Sequence, residues 1–150
     1  EPRRRVAVVI DDDPSAREIF AMMLRRCGFS VRECARVDEG VRLVRELKPQ
    51  LVALEVAAEG MRGWSALTEL KSDPDTSSIP VVVASIEDEA DHGLRAGASA
   101  YLLKPAAHAD LVGALSSLDL ECLEVPLTPS GRPPPLAMFA HTLAPPRGAP

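Results

Sequence analysis

Short apolar runs alternate with longer stretches of helical period through the first 118 residues. The runs are VAVVI at 6–10, VREC at 31–34, LVALE at 51–55, VVVAS at 81–85 and AYLL at 100–103, and four of the five are short and β-branched or apolar throughout. Runs of this kind read as strands of a parallel sheet covered on both faces. The intervening stretches predict helices. The first has Asp13 as N-cap and Pro14 at its first position, carries Ala16, Ile19, Phe20, Met23 and Leu24 on one face, and stops at Gly28. The second carries Val37, Val41, Val44 and Leu47 before Lys48 and Pro49. A third near 64–72 is shorter and less regular, a fourth over about 88–96 ends at Gly97, and a fifth uses Leu111, Ala114, Leu115 and Leu118.

Five strand–helix units in succession predict an α/β fold, (βα)5, with one doubly wound, flavodoxin-like parallel sheet of five strands. The pattern stops after it. Eight of the 14 prolines lie beyond Glu124, the last acid, in segments such as RPPPL and APPRGAP. The organisation expected is therefore one domain over 5–118 and a Pro-rich tail or linker over 119–150, extended, disordered or docked through residues such as Leu136 and Phe139.

Composition narrows the function classes. At 46% hydrophobic and 26% charged, with no apolar run near the roughly 18 residues of a membrane span, the chain reads as a soluble domain without a membrane partner. Its net charge of −5 disfavours nucleic-acid binding by this domain. Cys27, Cys34 and Cys122 are an odd, widely spaced set, so neither a disulfide framework nor a zinc site is expected, and a reducing cytoplasm fits. The opening EPRRR is not a signal peptide, and a start without Met is what an excised fragment would show.

Ligands of doubly wound sheets bind beyond the carboxyl ends of the strands. The residues predicted there form a set: Asp11, Asp12 and Asp13 after strand one, Glu55 at the end of strand three, Ser85 at the end of strand four, and Lys104 and Pro105 after strand five. Carboxylates, a hydroxyl and an ammonium on one rim are what a divalent cation and a phosphoryl group require. Asp13 is expected to cap a helix instead. The segment Asp11–Ser15 also fits a D-x-D-x-[ST] nucleophile motif, which leaves a haloacid-dehalogenase-like phosphohydrolase as an alternative. Against that enzyme, the chain has no further strand after Lys104 to bring in a second acid pair.

The segments VVIDDDPSAR, PQLVALEVAAEGMRGW, IPVVVAS and GASAYLLKP resemble those of the receiver domains of two-component response regulators, over residues 5 to about 118. The resemblance implies a phosphorelay signalling module rather than an enzyme. Its partner would be a sensor histidine kinase, or a fused kinase or output domain. By position, Asp11 and Asp12 would bind Mg²⁺ with the backbone carbonyl of Ala57, and Ser85 and Lys104 would meet the phosphoryl group. Tyr101 would report the switch, and Pro105 would bend the chain after the lysine. Helix four, strand five and helix five would form the partner or homodimer face, with Leu94, Arg95, Tyr101 and either Leu102 or Leu103 upon it.

The phosphoacceptor position departs from this pattern, because Glu55 stands where the family has Asp. One extra methylene displaces a carboxylate by more than about 1 Å, and misplacement of that size can cost roughly 10²-fold in rate. Three readings follow: an atypical receiver that signals through binding, with Glu55 either mimicking the phosphorylated state or pairing with Lys104 to hold an inactive one, and a conventional receiver phosphorylated on Glu55 or a nearby acid. Two smaller departures accompany it. The loop AAEGMRG lacks the proline and acid frequent there, and Ile86 follows Ser85 where a small residue is usual, either narrowing the site entrance or packing among helices.

Overall fold

A computed structural model describes residues 4–124. Its strands are β1 (Val6–Ile10), β2 (Ser30–Cys34), β3 (Leu51–Leu54), β4 (Val81–Ser85) and β5 (Ala100–Leu103), paired in parallel in the order β2-β1-β3-β4-β5. The helices are α1 (Pro14–Arg26), α2 (Val37–Leu47), α3 (Ala58–Ser72), α4 (Ala90–Arg95) and α5 (His108–Ser117). Each follows the strand of the same number, which is the predicted doubly wound (βα)5 arrangement.

The two-residue period explains why β1, β3 and β4 are apolar up to their ends. Val8, Ile10, Val52, Leu54, Val81 and Val83 face one core cluster with Val41, Val44, Leu67 and Leu70. Ala7, Val9, Leu51, Ala53, Val82 and Ala84 face the other, with Phe20, Leu24, Leu111 and Leu115. Both sheet faces are covered, so no position along these strands is left for a polar residue until the strand ends. Leu24, Leu67, Leu111 and Leu115 are fully buried, each contributing about 1.5–3 kcal/mol by leaving water.

Helix α1 begins as expected, with Asp13 Oδ1 accepting from the backbone N–H groups of Ser15 (3.0 Å) and Ala16 (3.4 Å) and Pro14 at the first turn. Two residues assigned to core-facing stripes are exposed. Ile19 is 59% exposed, since Phe20, Ala21 and Leu24 take the inward arc of α1 and leave Ile19 with Met22 outside. Leu47, the last residue of α2, is 38% exposed just before Lys48 turns left-handed (φ 48°).

Helix α3 starts earlier than the sequence predicts, at Ala58, but Glu59, Gly60 and Met61 have left-handed dihedrals (φ 50°, 68° and 72°), so regular helix begins only after them. The expectation of reduced cysteines is overturned: Cys27, the C-cap of α1, is joined by a disulfide to Cys122. The partners are 95 residues apart in sequence, a distance at which spacing carries no signal, and the fold brings them together. The packed chain also runs past 118. Leu120 donates its N–H to Leu115 (2.9 Å), Leu123 donates to Cys27 (3.1 Å), and Leu120 and Cys122 lie against the second core cluster. The expectations for 125–150 fall outside the described residues.

Candidate functional site

Strand register carries the polar residues to one edge. Ile10 pairs with both Cys34 and Leu54, so Asp11 and Glu55 are the first residues beyond neighbouring strands β1 and β3. Ser85 pairs with Leu103, so Lys104 leaves β5 beside the end of β4. The strand order changes direction between β1 and β3, and that is where a crevice must open.

Lys104 sits between the two acids. Its Nζ donates to Asp11 Oδ2 at 2.7 Å and to Glu55 Oε1 at 3.4 Å, with the lysine side chain 16% exposed and the carboxylates 6% and 8%. Asp11 Oδ1 accepts from the Asp13 N–H at 2.9 Å. Glu55 Oε2 is buried and has no partner among the described residues. A carboxylate oxygen in that condition costs free energy unless something compensates it. Asp12 is exposed, and its Oδ2 accepts from the Glu59 N–H at 2.9 Å. Asp11, Asp12 and Glu55 with Lys104 leave a formal charge of −2 built from oxygen donors.

The loop after β3 is shaped by two residues that sequence reading missed. Glu59 holds the left-handed turn to its surroundings: its N–H binds Asp12, and its Oε1 accepts the Val37 N–H at the start of α2, where the N-cap Arg36 supplies no side-chain bond. A carboxylate at a helix N-terminus was detectable by charge type but not by position. Gly63 lets α3 lie against the strand end, since a Cβ there would stand 2.2 Å from the Glu55 carbonyl oxygen and 2.5 Å from Val56 Cα. The Ala57 carbonyl lies in this loop and accepts the Met61 N–H at 3.2 Å, leaving one lone pair for other use.

Ser85 is fully buried, and its Oγ accepts from the Glu87 N–H at 3.1 Å instead of meeting Glu55. Tyr101 is half-buried against the first core cluster and donates its hydroxyl to the Glu87 carbonyl. Its ring lies on Gly93 of α4, where an added Cβ would come within 2.5 Å of Cδ2. Burial pushes the Tyr101 phenol above its usual value, with the neighbouring polar groups of Ser85 and Glu89 working in the opposite direction. Ile86, next to Ser85, is 69% exposed, which removes the reading that packs it among helices. The register of β5 places Leu102 in the second core cluster and Leu103 outside at 50% exposure, alongside Leu94 at 50%. Pro105 follows Lys104 through a cis peptide bond.

A family model described as the response regulator receiver domain matches residues 7–116. Protein PilH of Pseudomonas aeruginosa is 35% identical over 101 residues, 65% of this chain and 84% of PilH. The DNA-binding response regulator MtrA of Mycolicibacterium smegmatis is 35% identical over 113 residues, 73% of this chain and 48% of MtrA. The chain thus spans most of PilH but about half of MtrA. A putative response regulator from Chloroflexus aurantiacus superposes with a TM-score of 0.71 at 25% identity, over 78% of this chain and 99% of that one. The Vibrio cholerae chemotaxis protein CheY4 superposes with a TM-score of 0.68 at 19% identity, over 75% and 97%, a likeness of fold.

Proposed function

The chain belongs to the response regulator receiver domain family of two-component signalling, and on that premise we propose that it is an atypical receiver in which Glu55 fills the acceptor position and signalling proceeds mainly through protein contacts. The observation that carries this reading is the buried Glu55 carboxylate already paired with Lys104 at 3.4 Å. The cation that would receive a phosphoryl oxygen is engaged before any phosphoryl group arrives. Lys104 is also the nearer partner of Asp11, so a donor would have to displace two ion pairs at once.

The residues fit Mg²⁺, a hard cation satisfied by one or two carboxylates with carbonyl and water oxygens. Asp11, Asp12 and Glu55 would hold it, with the free lone pair of the Ala57 carbonyl, and the unpartnered Glu55 Oε2 is an oxygen awaiting compensation. Such an ion, when bound, would neutralise charge on a phosphoryl group. Competition with Lys104 for Asp11 and Glu55 makes the expected affinity weak.

Glu55 supports a fixed conformation in this proposal. Tyr101 is turned inward onto the Glu87 carbonyl, as in an engaged switch, yet Ser85 bonds the Glu87 N–H and not the Glu55 carboxylate. Glu55 thus holds charge at the rim without recruiting the hydroxyl that phosphate would draw in. The partners of the reading are a sensor histidine kinase or a fused kinase or output domain, met through the face that carries Leu94, Arg95 and Leu103.

The test is phosphorylation by acetyl phosphate with Mg²⁺, followed by intact mass, on the natural chain and on Glu55→Asp. Labelling of Glu55→Asp at least tenfold faster than the natural chain is expected. Equal rates would establish a conventional receiver and overturn the proposal.

A further inference from the structure

Cys27, Cys122 and His108 meet at a place the receiver chemistry does not use. One ligand atom from each lies within 4.8 Å of the others. Cys27 closes α1, His108 opens α5, and Cys122 lies in the segment that returns from α5. Both ring nitrogens of His108 are buried and without a hydrogen-bond partner among the described residues. Glu124 brings a carboxylate oxygen to 3.9 Å from His108 Nε2, near but beyond hydrogen-bonding distance. A buried imidazole left unpaired is a cost to the fold, while a lone pair facing two sulfurs is what a metal ligand offers.

We propose that, in the reduced chain, Cys27, Cys122 and His108 bind a zinc-class divalent cation, with Glu124 as the fourth donor. The donor set decides the class. Two thiolates with an imidazole are borderline-soft ligands suited to four-coordinate Zn²⁺, whereas Mg²⁺ selects the oxygen donors at Asp11, Asp12 and Glu55. Binding removes one proton from each thiol as two metal–sulfur bonds form. The disulfide consumes the same two sulfurs, so the cross-link and the metal exclude one another.

The site would persist when the S–S bond is opened, because other contacts hold its parts together. The Leu123 N–H and Arg5 Nη1 both donate to the Cys27 carbonyl at 3.1 Å, and Leu120 donates to Leu115 at 2.9 Å. These bonds fix the returning segment against the end of α1 without help from sulfur. A site assembled in advance loses less entropy on binding. Exposed Glu124 leaves one side open for a cation to enter.

The test uses the full chain, reduced with a phosphine, which opens the disulfide to two thiols and takes the oxygen of one water as phosphine oxide. The metal-free protein is titrated with Co²⁺ and then Zn²⁺ against a chromophoric chelator, and thermal unfolding is followed in parallel. Expected are one ion per chain, a cobalt–thiolate charge-transfer band that Zn²⁺ abolishes, and a higher Tm of the reduced chain with Zn²⁺. Affinity should fall at least about tenfold in Cys122→Ser and in His108→Gln, and the oxidised chain should give no thiolate band. Absence of the band in the reduced natural chain overturns the proposal, as does unchanged affinity in both variants.

Discussion

Lys104 neutralises part of the charge of two buried acids, and its removal would strand both. Truncation of one member of a buried ion-paired group costs about 3–5 kcal/mol, because the remaining charges stay buried without compensation. Lys104→Met should therefore lower unfolding free energy by roughly 3 kcal/mol in urea titrations at neutral pH, and adding Glu55→Gln should restore part of it. Tyr101 gives a second prediction at this scale. Its phenol is raised in the folded chain by burial, so the stability it brings is complete below the usual tyrosine value of 10.0 and is lost as pH rises through the folded value. Chemical unfolding from pH 9 to 11 should show a decline at the alkaline end that is shallower in Tyr101→Phe. Parallel loss in both proteins would mean that the phenol is not responsible.

Among the elements, strands were the most legible, and for a physical reason: a strand buried on both faces has no choice but to be apolar, and the runs at 6–10 and 81–85 coincide with β1 and β4, while the partly exposed β5 coincides with the run at 100–103. Glu55 fell outside β3, which ends at Leu54, and that single-residue shift is what puts its carboxylate on the rim. The rim residues Asp11, Asp12, Ser85 and Lys104 were legible because they interrupt those runs. The turn at Glu59, Gly60 and Met61 was not, since left-handed dihedrals at Glu and Met follow from tertiary bonds that local sequence does not contain. Glu59→Ala should cost about 1 kcal/mol by leaving the first turn of α2 uncapped, measurable by thermal unfolding. Gly63→Ala should be more damaging, about 1–3 kcal/mol or greater, because its Cβ would meet backbone and not a side chain able to move. Trp64 of α3, the single tryptophan, stacks on His92 of α4 at 4.1 Å between ring centroids. Its fluorescence should change when beryllofluoride and Mg²⁺ bind Glu55→Asp if α4 shifts with the switch.

For the whole molecule, the arrangement of layers was readable from period alone, while the link from the end of α1 to the segment after α5 was not. Cys27 and Cys122 enclose most of the described chain, and cross-links of this kind stabilise by about 2–4 kcal/mol, chiefly by restricting the unfolded chain. Reduction should lower Tm in metal-free buffer by several degrees, a change that Cys122→Ser reproduces without reductant. Leu94 and Leu103 are each half exposed, and in the proposal above they belong to the face that meets a partner. Arg95→Glu on that surface should weaken partner capture without altering stability by more than about 0.5 kcal/mol.

The ion pair between Lys104 and Asp11 spans 93 positions of sequence. On a growing polypeptide, Asp11 and Glu55 emerge well before Lys104, which pairs with both of them. A chain halted after α4 would hold the acids of the rim without Lys104, and one of the two parallel partners of β4, the strand β5, would be missing. Contacts of such long range form late and slow the search for the native state. The rim is therefore a property of the finished domain: a form that lacks β5 lacks the cation of the rim, and maturation of the site and completion of the sheet are one event.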